Sequence, residues 1–121
     1  INLGIISGAE KMKHMQTTDI FLTASYSEGF SRSLLEAMAI GKPVVFTPVG
    51  AHREVFEDGV HGFSFIPGRL EDLKEALKKL LANYDMRLEI GAKNRTNVVS
   101  NFSSQKIAED FKVIILNTLA L

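Results

Sequence analysis

The sequence predicts an α/β fold, a Rossmann-like parallel sheet flanked by helices. Three observations carry that expectation. Two apolar runs of strand length, "DIFLTAS" at Asp19–Ser25 and "PVVFTPV" at Pro43–Val49, alternate with helical patterns. The first run is apolar on each face, as a parallel strand covered by helices on both sides is. Leu70, Leu73, Leu77, Leu80 and Leu81 recur at helical spacing. Strands that alternate with helices pair in parallel through right-handed crossovers.

Each element follows in order. "INLGII" (Ile1–Ile6) reads as a short buried strand, broken at Ser7–Gly8. Glu10–Gln16 fits a short helix with Met12 and Met15 facing inward. Asp19–Ser25 is the next strand, and Tyr26–Phe30 a loop. A helix then runs from about Ser31 to Ile40, with Leu34, Leu35, Met38 and Ala39 on its apolar side. Gly41 stops it and Pro43 confirms the stop. After the strand at Pro43–Val49 comes a loop with one helical turn at Gly50–Asp58, then a strand at Gly62–Ile66 and a turn at Pro67–Gly68. The helix from Leu70 carries Glu71 and Asp72 in its first turn and Lys78 and Lys79 in its last, which suits its dipole. A further helix covers Asp85–Val99. Ser103 or Ser104 caps another, with Ile107, Phe111, Ile114, Ile115 and Thr118 along one side. The whole chain, 1–121, reads as a single domain whose C-terminal helices occupy about 70–121.

Composition narrows the function. The 121 residues hold 14 basic and 14 acidic side chains, so the cationic face of a general nucleic-acid binder is not expected. There is no cysteine, so neither a disulfide framework nor a thiolate metal site is possible. No apolar run approaches the ~18 residues of a membrane span. His14 and His61 read as surface residues, and no cluster has metal-ligand spacing. Ser25 and Ser27 have no paired base in the sequence, so a hydrolase has little support. No Gly-x-Gly-x-x-Gly is present, which disfavours a dinucleotide-binding domain.

The chemistry concentrates at Ser27–Val45, "SEGFSRSLLEAMAIGKPVV". In open parallel sheets ligands bind at the carboxyl ends of the strands. Glu28 sits in such a loop, just before a helix whose first amides, near Phe30, Ser31 and Arg32, make an anion site. Gly29 lets the backbone approach a ligand closely. Glu36 lies five residues beyond Ser31, roughly 7–8 Å along the helix. That is about the separation of a diphosphate from the ribose of the same nucleotide, and a carboxylate there can accept from two hydroxyls. Spacing alone leaves two readings open: a helix-end charge with a solvated face residue, or a pair of hydroxyl acceptors flanking an anion site.

Read with its flanks, the stretch closely resembles the C-terminal domain of retaining GT-B glycosyltransferases of the group 1 type. Three blocks carry the resemblance: Glu28 to Glu36; Val49, Gly50, Ala51 and Glu54; and "EDGVHGF" at Glu57–Phe63 followed by Pro67–Gly68. It spans roughly Ile1 to Phe102. It implies a partial GT-B C-terminal domain and transfer of a sugar from a nucleotide-diphosphate donor, with retention, by a hexosyltransferase-type enzyme. Glu28 is then the catalytic-site carboxylate on the donor sugar's hydroxyls. Gly29, Phe30 and Ser31 offer amides to the sugar and diphosphate, Glu36 binds the ribose, and the loop from Gly50 to Glu54 lies beside the donor. No metal or other cofactor is expected beyond the nucleotide sugar itself. The family also implies surface polysaccharide or glycolipid acceptors and a cytoplasmic location, peripheral to the inner face of a membrane.

The sequence departs from the family in two places. Such domains open with two further strand–helix units, the first carrying an Arg and a Lys for the diphosphate; "INLGI" resembles the third strand, and no residue matches that pair. The acceptor-binding N-terminal domain is expected as a missing partner. In the family order 3-2-1-4-5-6 the two strands between the first and second of this chain are absent. The expectation is therefore an exposed strand edge that self-associates, or a first strand that re-pairs. The donor loop carries Gly50-Ala51 where Gly-Gly is frequent, followed by His52 and Arg53. Arg53 and Arg32 are each either a substitute cation or a solvated arginine. The isolated chain is expected to be inactive. A donor-binding subunit serving a separate acceptor chain, a sugar-nucleotide epimerase and a vestigial fragment are the other readings.

Overall fold

The computed structural model describes residues 1–119. Three strands, β1 (Phe21–Thr23), β2 (Val44–Phe46) and β3 (Gly62–Ser64), form a parallel sheet in the order β1-β2-β3. The central register aligns Leu22, Val45 and Phe63. Helices α1 (Gly8–Thr17), α2 (Arg32–Ala39), α3 (His52–Val55), α4 (Leu70–Leu81), α5 (Tyr84–Phe102) and α6 (Ser104–Leu119) complete the chain.

Side chains alternate across a strand, so β2 feeds two cores. Val44 and Phe46 join Leu34, Met38, Phe56 and Val98 on one face. Val45 joins Phe65, Ala76, Leu80 and Ile90 on the other. All three β2 residues are buried, as expected of a central parallel strand. Each such side chain contributes about 1.5–3 kcal/mol relative to exposure. Helix α5 supplies Ile90 to one core and Val98 to the other, and its 19 residues span ~28 Å. It can lie against the end of α2 because it has glycine there: a Cβ on Gly91 would stand 2.0 Å from the Gly41 carbonyl oxygen, whereas one on Gly41 would meet the Gly91 carbonyl oxygen only at 3.6 Å. Gly41, at φ 79°, closes α2 in a Schellman motif. Its N–H donates to Met38 O (2.9 Å) and Lys42 N–H donates to Ala37 O (3.0 Å).

The fold class and element order match the sequence reading. The first segment does not. Ile1–Ile6 is not a strand, and Ile1, Leu3 and Ile5 are exposed. A local turn replaces it: Asn2 Oδ1 accepts from Gly4 N–H (2.9 Å), and Gly4 is left-handed at φ 63°. A side chain that bonds nearby backbone competes with strand pairing. The segment therefore does not re-pair with β1. The strands are shorter than the apolar runs that contain them, because the residues beyond them turn into the loops. Helix α4 buries Ala76 and Leu80 and half-buries Leu73 and Leu77, but Leu70 and Leu81 are exposed. Ser103 caps α6, accepting from Lys106 N–H at 3.2 Å. The apolar side predicted for α6 is not covered: Ile107, Phe111, Ile114 and Ile115 are all exposed. Residues 120–121 of the predicted C-terminal helical stretch lie outside the described residues.

A second correction concerns His61, which is half-buried rather than on the surface. Its Nδ1 accepts from Glu57 N–H (2.9 Å), and its Nε2 faces the Asn97 amide at 2.9 Å. Beside it, fully buried Asn94 donates to the Lys42 carbonyl (2.9 Å) and the His61 carbonyl (2.7 Å). Asn94 thus ties α5 to the chain entering β2 and β3. Burial lowers the His61 pKa, against the opposing influence of Glu57, and a proton on Nδ1 would remove the bond from Glu57. The unfolded chain, near the ordinary ~6.5, therefore takes up this proton first as pH falls. His61 contributes its full stability above about 6.5 and loses it as pH falls through the folded value. Thermal unfolding between pH 7.5 and 5 should show a falling Tm, and His61→Asn, which does not titrate there, should flatten that fall. An unchanged slope in the variant would contradict the assignment.

Candidate functional site

The loops after β1 and β2 meet at the carboxyl end of the sheet. Thr47, fully buried, donates its hydroxyl to the Ser25 carbonyl (2.6 Å). His52, also fully buried, bonds through Nδ1 to the Thr47 carbonyl (3.0 Å). Gly50 then passes so close to the other loop that a Cβ on it would stand 1.9 Å from the Glu28 carbonyl oxygen. Its φ of 52° is itself strained for any residue but glycine.

Glu28 is held at its side chain as well. The Ser25 hydroxyl donates to Glu28 Oε1 (2.5 Å), and Thr23 Oγ1 lies 3.4 Å from Ser25 Oγ. Ser25, which seemed partnerless in the sequence, is thus an orienting group for Glu28. Beyond Glu28 the chain enters α2. Ser31 is its N-cap and accepts from Leu34 N–H (3.4 Å). The N–H groups of Gly29, Phe30 and Ser31 have no acceptor among the described residues. With the dipole of α2 they form a donor cluster suited to an anion. The Phe30 ring packs on Phe102 at 5.6 Å between centroids, so the end of α5 supports this loop.

Glu36 lies on α2 with its side chain a quarter exposed. Lys11 of α1 forms an ion pair with Oε2, and Arg32 Nε donates to Oε1 at 3.2 Å. The bond from Lys11, reinforced by the charge of Arg32, holds the Glu36 carboxyl below the usual range despite opposing desolvation. Of the two ambiguous arginines, Arg32 is therefore bound to Glu36, while Arg53 donates to its own loop at Pro48 O (2.5 Å).

The predicted residues are thus brought together in part. Glu28, Gly29, Phe30, Ser31 and Gly50 share the carboxyl end of the sheet, and Glu36 lies further along α2. Glu54 is exposed on α3, and its side chain has no hydrogen bond or ion pair among the described residues. Lys11, Ser25, Thr47 and His52 were not found from the sequence. Lys11 is distant in sequence from Glu36, and the other three carry no motif that separates them from ordinary core and loop residues.

The Gly50 contact gives a direct test. Gly50→Ala should destabilise the chain by about 2–4 kcal/mol, combining left-handed strain with forced movement of the Glu28 loop. Urea unfolding measures this, and a change under about 0.5 kcal/mol would contradict the packing described.

Comparison with known proteins agrees with this architecture. The family described as Glycosyl transferases group 1 matches residues 2–97. The trehalose synthase of Pyrococcus horikoshii is 34% identical over 121 residues, covering 98% of this chain and 28% of that protein. The N-acetyl-alpha-D-glucosaminyl L-malate synthase of Bacillus anthracis is 31% identical over 102 residues, covering 84% of this chain and 27% of that protein. The chain thus spans under a third of the length of these relatives. Anabaena HepE, solved in complex with UDP-glucose, aligns with a TM-score of 0.77 at 28% identity, over 88% of this chain and 30% of that one. A glycosyltransferase from Rickettsia africae aligns at 0.82 over 93% of this chain and 30% of that one; at 24% identity it speaks to the fold alone. On the extent of the family match and the shared fold, this chain belongs to the glycosyl transferases group 1 family.

Proposed function

We propose that this chain is the donor-binding half of a retaining glycosyltransferase. The observation that carries the reading is the convergence at one sheet end of Glu28, the free amides of Gly29, Phe30 and Ser31, and the Gly50 loop. In this reading the amides and the dipole of α2 bind the diphosphate and stabilise the charge that grows on it as the sugar leaves. Glu28, fixed by Ser25, accepts hydroxyls of the donor sugar. Glu36 accepts the ribose hydroxyls. No resident metal has a role. The structure of HepE with UDP-glucose supports a nucleotide-sugar donor for the family.

The acceptor is read elsewhere. A transferase cleft has two walls, and these residues furnish one. The isolated chain is expected to bind a donor without transferring its sugar, with surface polysaccharide or glycolipid as the acceptor class of the whole protein.

The test is a thermal-shift and calorimetric screen of UDP-, GDP- and ADP-sugars. At least one should raise the Tm, and Glu36→Ala should weaken its binding roughly tenfold. Equal binding by the variant would remove the ribose role from Glu36. A screen with no binder would remove the donor-site reading altogether.

A further inference from the structure

We infer that Lys11 is a positioning residue for the nucleotide, acting through Glu36: its ammonium fixes the carboxylate in the orientation that receives the ribose. The inference rests on the ribose role proposed for Glu36. The supporting geometry is independent of any motif. Between the start of α1 and the flank of α2 lies a cleft of about 380 Å³ lined by Ile6, Ser7, Gly8, Lys11, Arg32 and Glu36. That volume falls within the ~300–1,000 Å³ of small-molecule sites. Glu36 is its one acidic lining residue.

An ionised carboxylate has about four acceptor positions on two oxygens. Lys11 takes one on Oε2 and Arg32 takes one on Oε1. Oε2, paired with Lys11, is itself buried, so the position left for a ribose hydroxyl is on Oε1, beside the one taken by Arg32. Lys11 therefore sets which oxygen of the carboxylate faces the sugar. They are unequal partners. The Arg32 side chain is 90% exposed, whereas that of Lys11 is 28% exposed and reaches Glu36 from a different helix. An exposed long side chain is loosely held, so Lys11 is the cation that defines the orientation. Lys11 and Arg32 are the charged groups that act on the Glu36 ionisation; α5, which also packs on α2, brings none.

The pair lies outside both apolar cores, so Lys11→Met retains the fold. The experiment measures affinity for UDP-glucose, or for whichever of UDP-, GDP- or ADP-glucose the unmodified chain binds, by calorimetry from pH 7.5 down to 4. Lys11→Met should bind roughly tenfold more weakly, and its binding should fail at a higher pH than that of the unmodified chain. Lys11→Arg should restore affinity to within about threefold, since it keeps the charge-assisted donor. In a Glu36→Gln background, Lys11→Met should cause no further loss. If Lys11 merely ties α1 to α2, Lys11→Met will lower the Tm but leave affinity and pH profile unchanged, and the inference is overturned. Losses that add in the double variant overturn it as well. Failure of the unmodified chain to bind any of the three nucleotide sugars refutes the donor reading itself, and this inference with it.

Discussion

The candidate site depends on one close approach, the backbone of Gly50 lying against the carbonyl of Glu28. Everything around it is arranged to permit that contact. The buried β2 strand ends at Phe46, and Thr47 sends its hydroxyl across to the Ser25 carbonyl. His52 anchors the same turn from below through the Thr47 carbonyl. The Ser25 hydroxyl is then free to meet Glu28 Oε1. A side chain at position 50 would separate the two loops and release Glu28 from its place beside the start of α2. The link runs from a single glycine, through strand-end packing, to the orientation of a carboxylate.

The two carboxylates are held in different ways, which bears on what each can do. Glu28 is oriented by a neutral hydroxyl from its own loop. Glu36 is held by two cations, one from a different helix. Among the described residues no cation pairs with Glu28. Paired cations hold Glu36 ionised and offset its charge, so it suits a neutral polyol such as a ribose better than another cation. The donor cluster of α2 begins between them, at Gly29 to Ser31.

Most of the architecture was legible in the sequence because its signals are local. The β2 residues are apolar on both faces, α2 ends at a glycine, and Glu71, Asp72, Lys78 and Lys79 mark the ends of α4. Glu28, Gly50 and the α2 start were legible from the blocks at Glu28–Glu36 and Val49–Glu54. What failed was non-local. "INLGII" has strand composition, but a parallel strand needs a neighbour, and the Asn2–Gly4 turn is the local alternative. The apolar side of α6 states that a face seeks burial and does not state against what; Phe111 and Ile114 are exposed. His61 looked like a surface residue because nothing in "EDGVHGF" announces Asn94 and Asn97, more than thirty positions on. Lys11 escaped for the same reason, since its partner lies on another helix.

The central claim is that the amides of Gly29, Phe30 and Ser31, at the start of α2 and beside the Gly50 loop, bind the donor's diphosphate. The most direct measurement is an amide-resolved NMR titration of the isotope-labelled chain with UDP-glucose, GDP-glucose and ADP-glucose in turn. The account predicts that one of them gives its largest saturable shifts at Gly29, Phe30, Ser31 and Gly50, with smaller ones near Glu36. Saturable shifts confined to another surface, such as the apolar cleft between Tyr26 and Leu73, with the amides of Gly29, Phe30 and Ser31 unmoved, would contradict it.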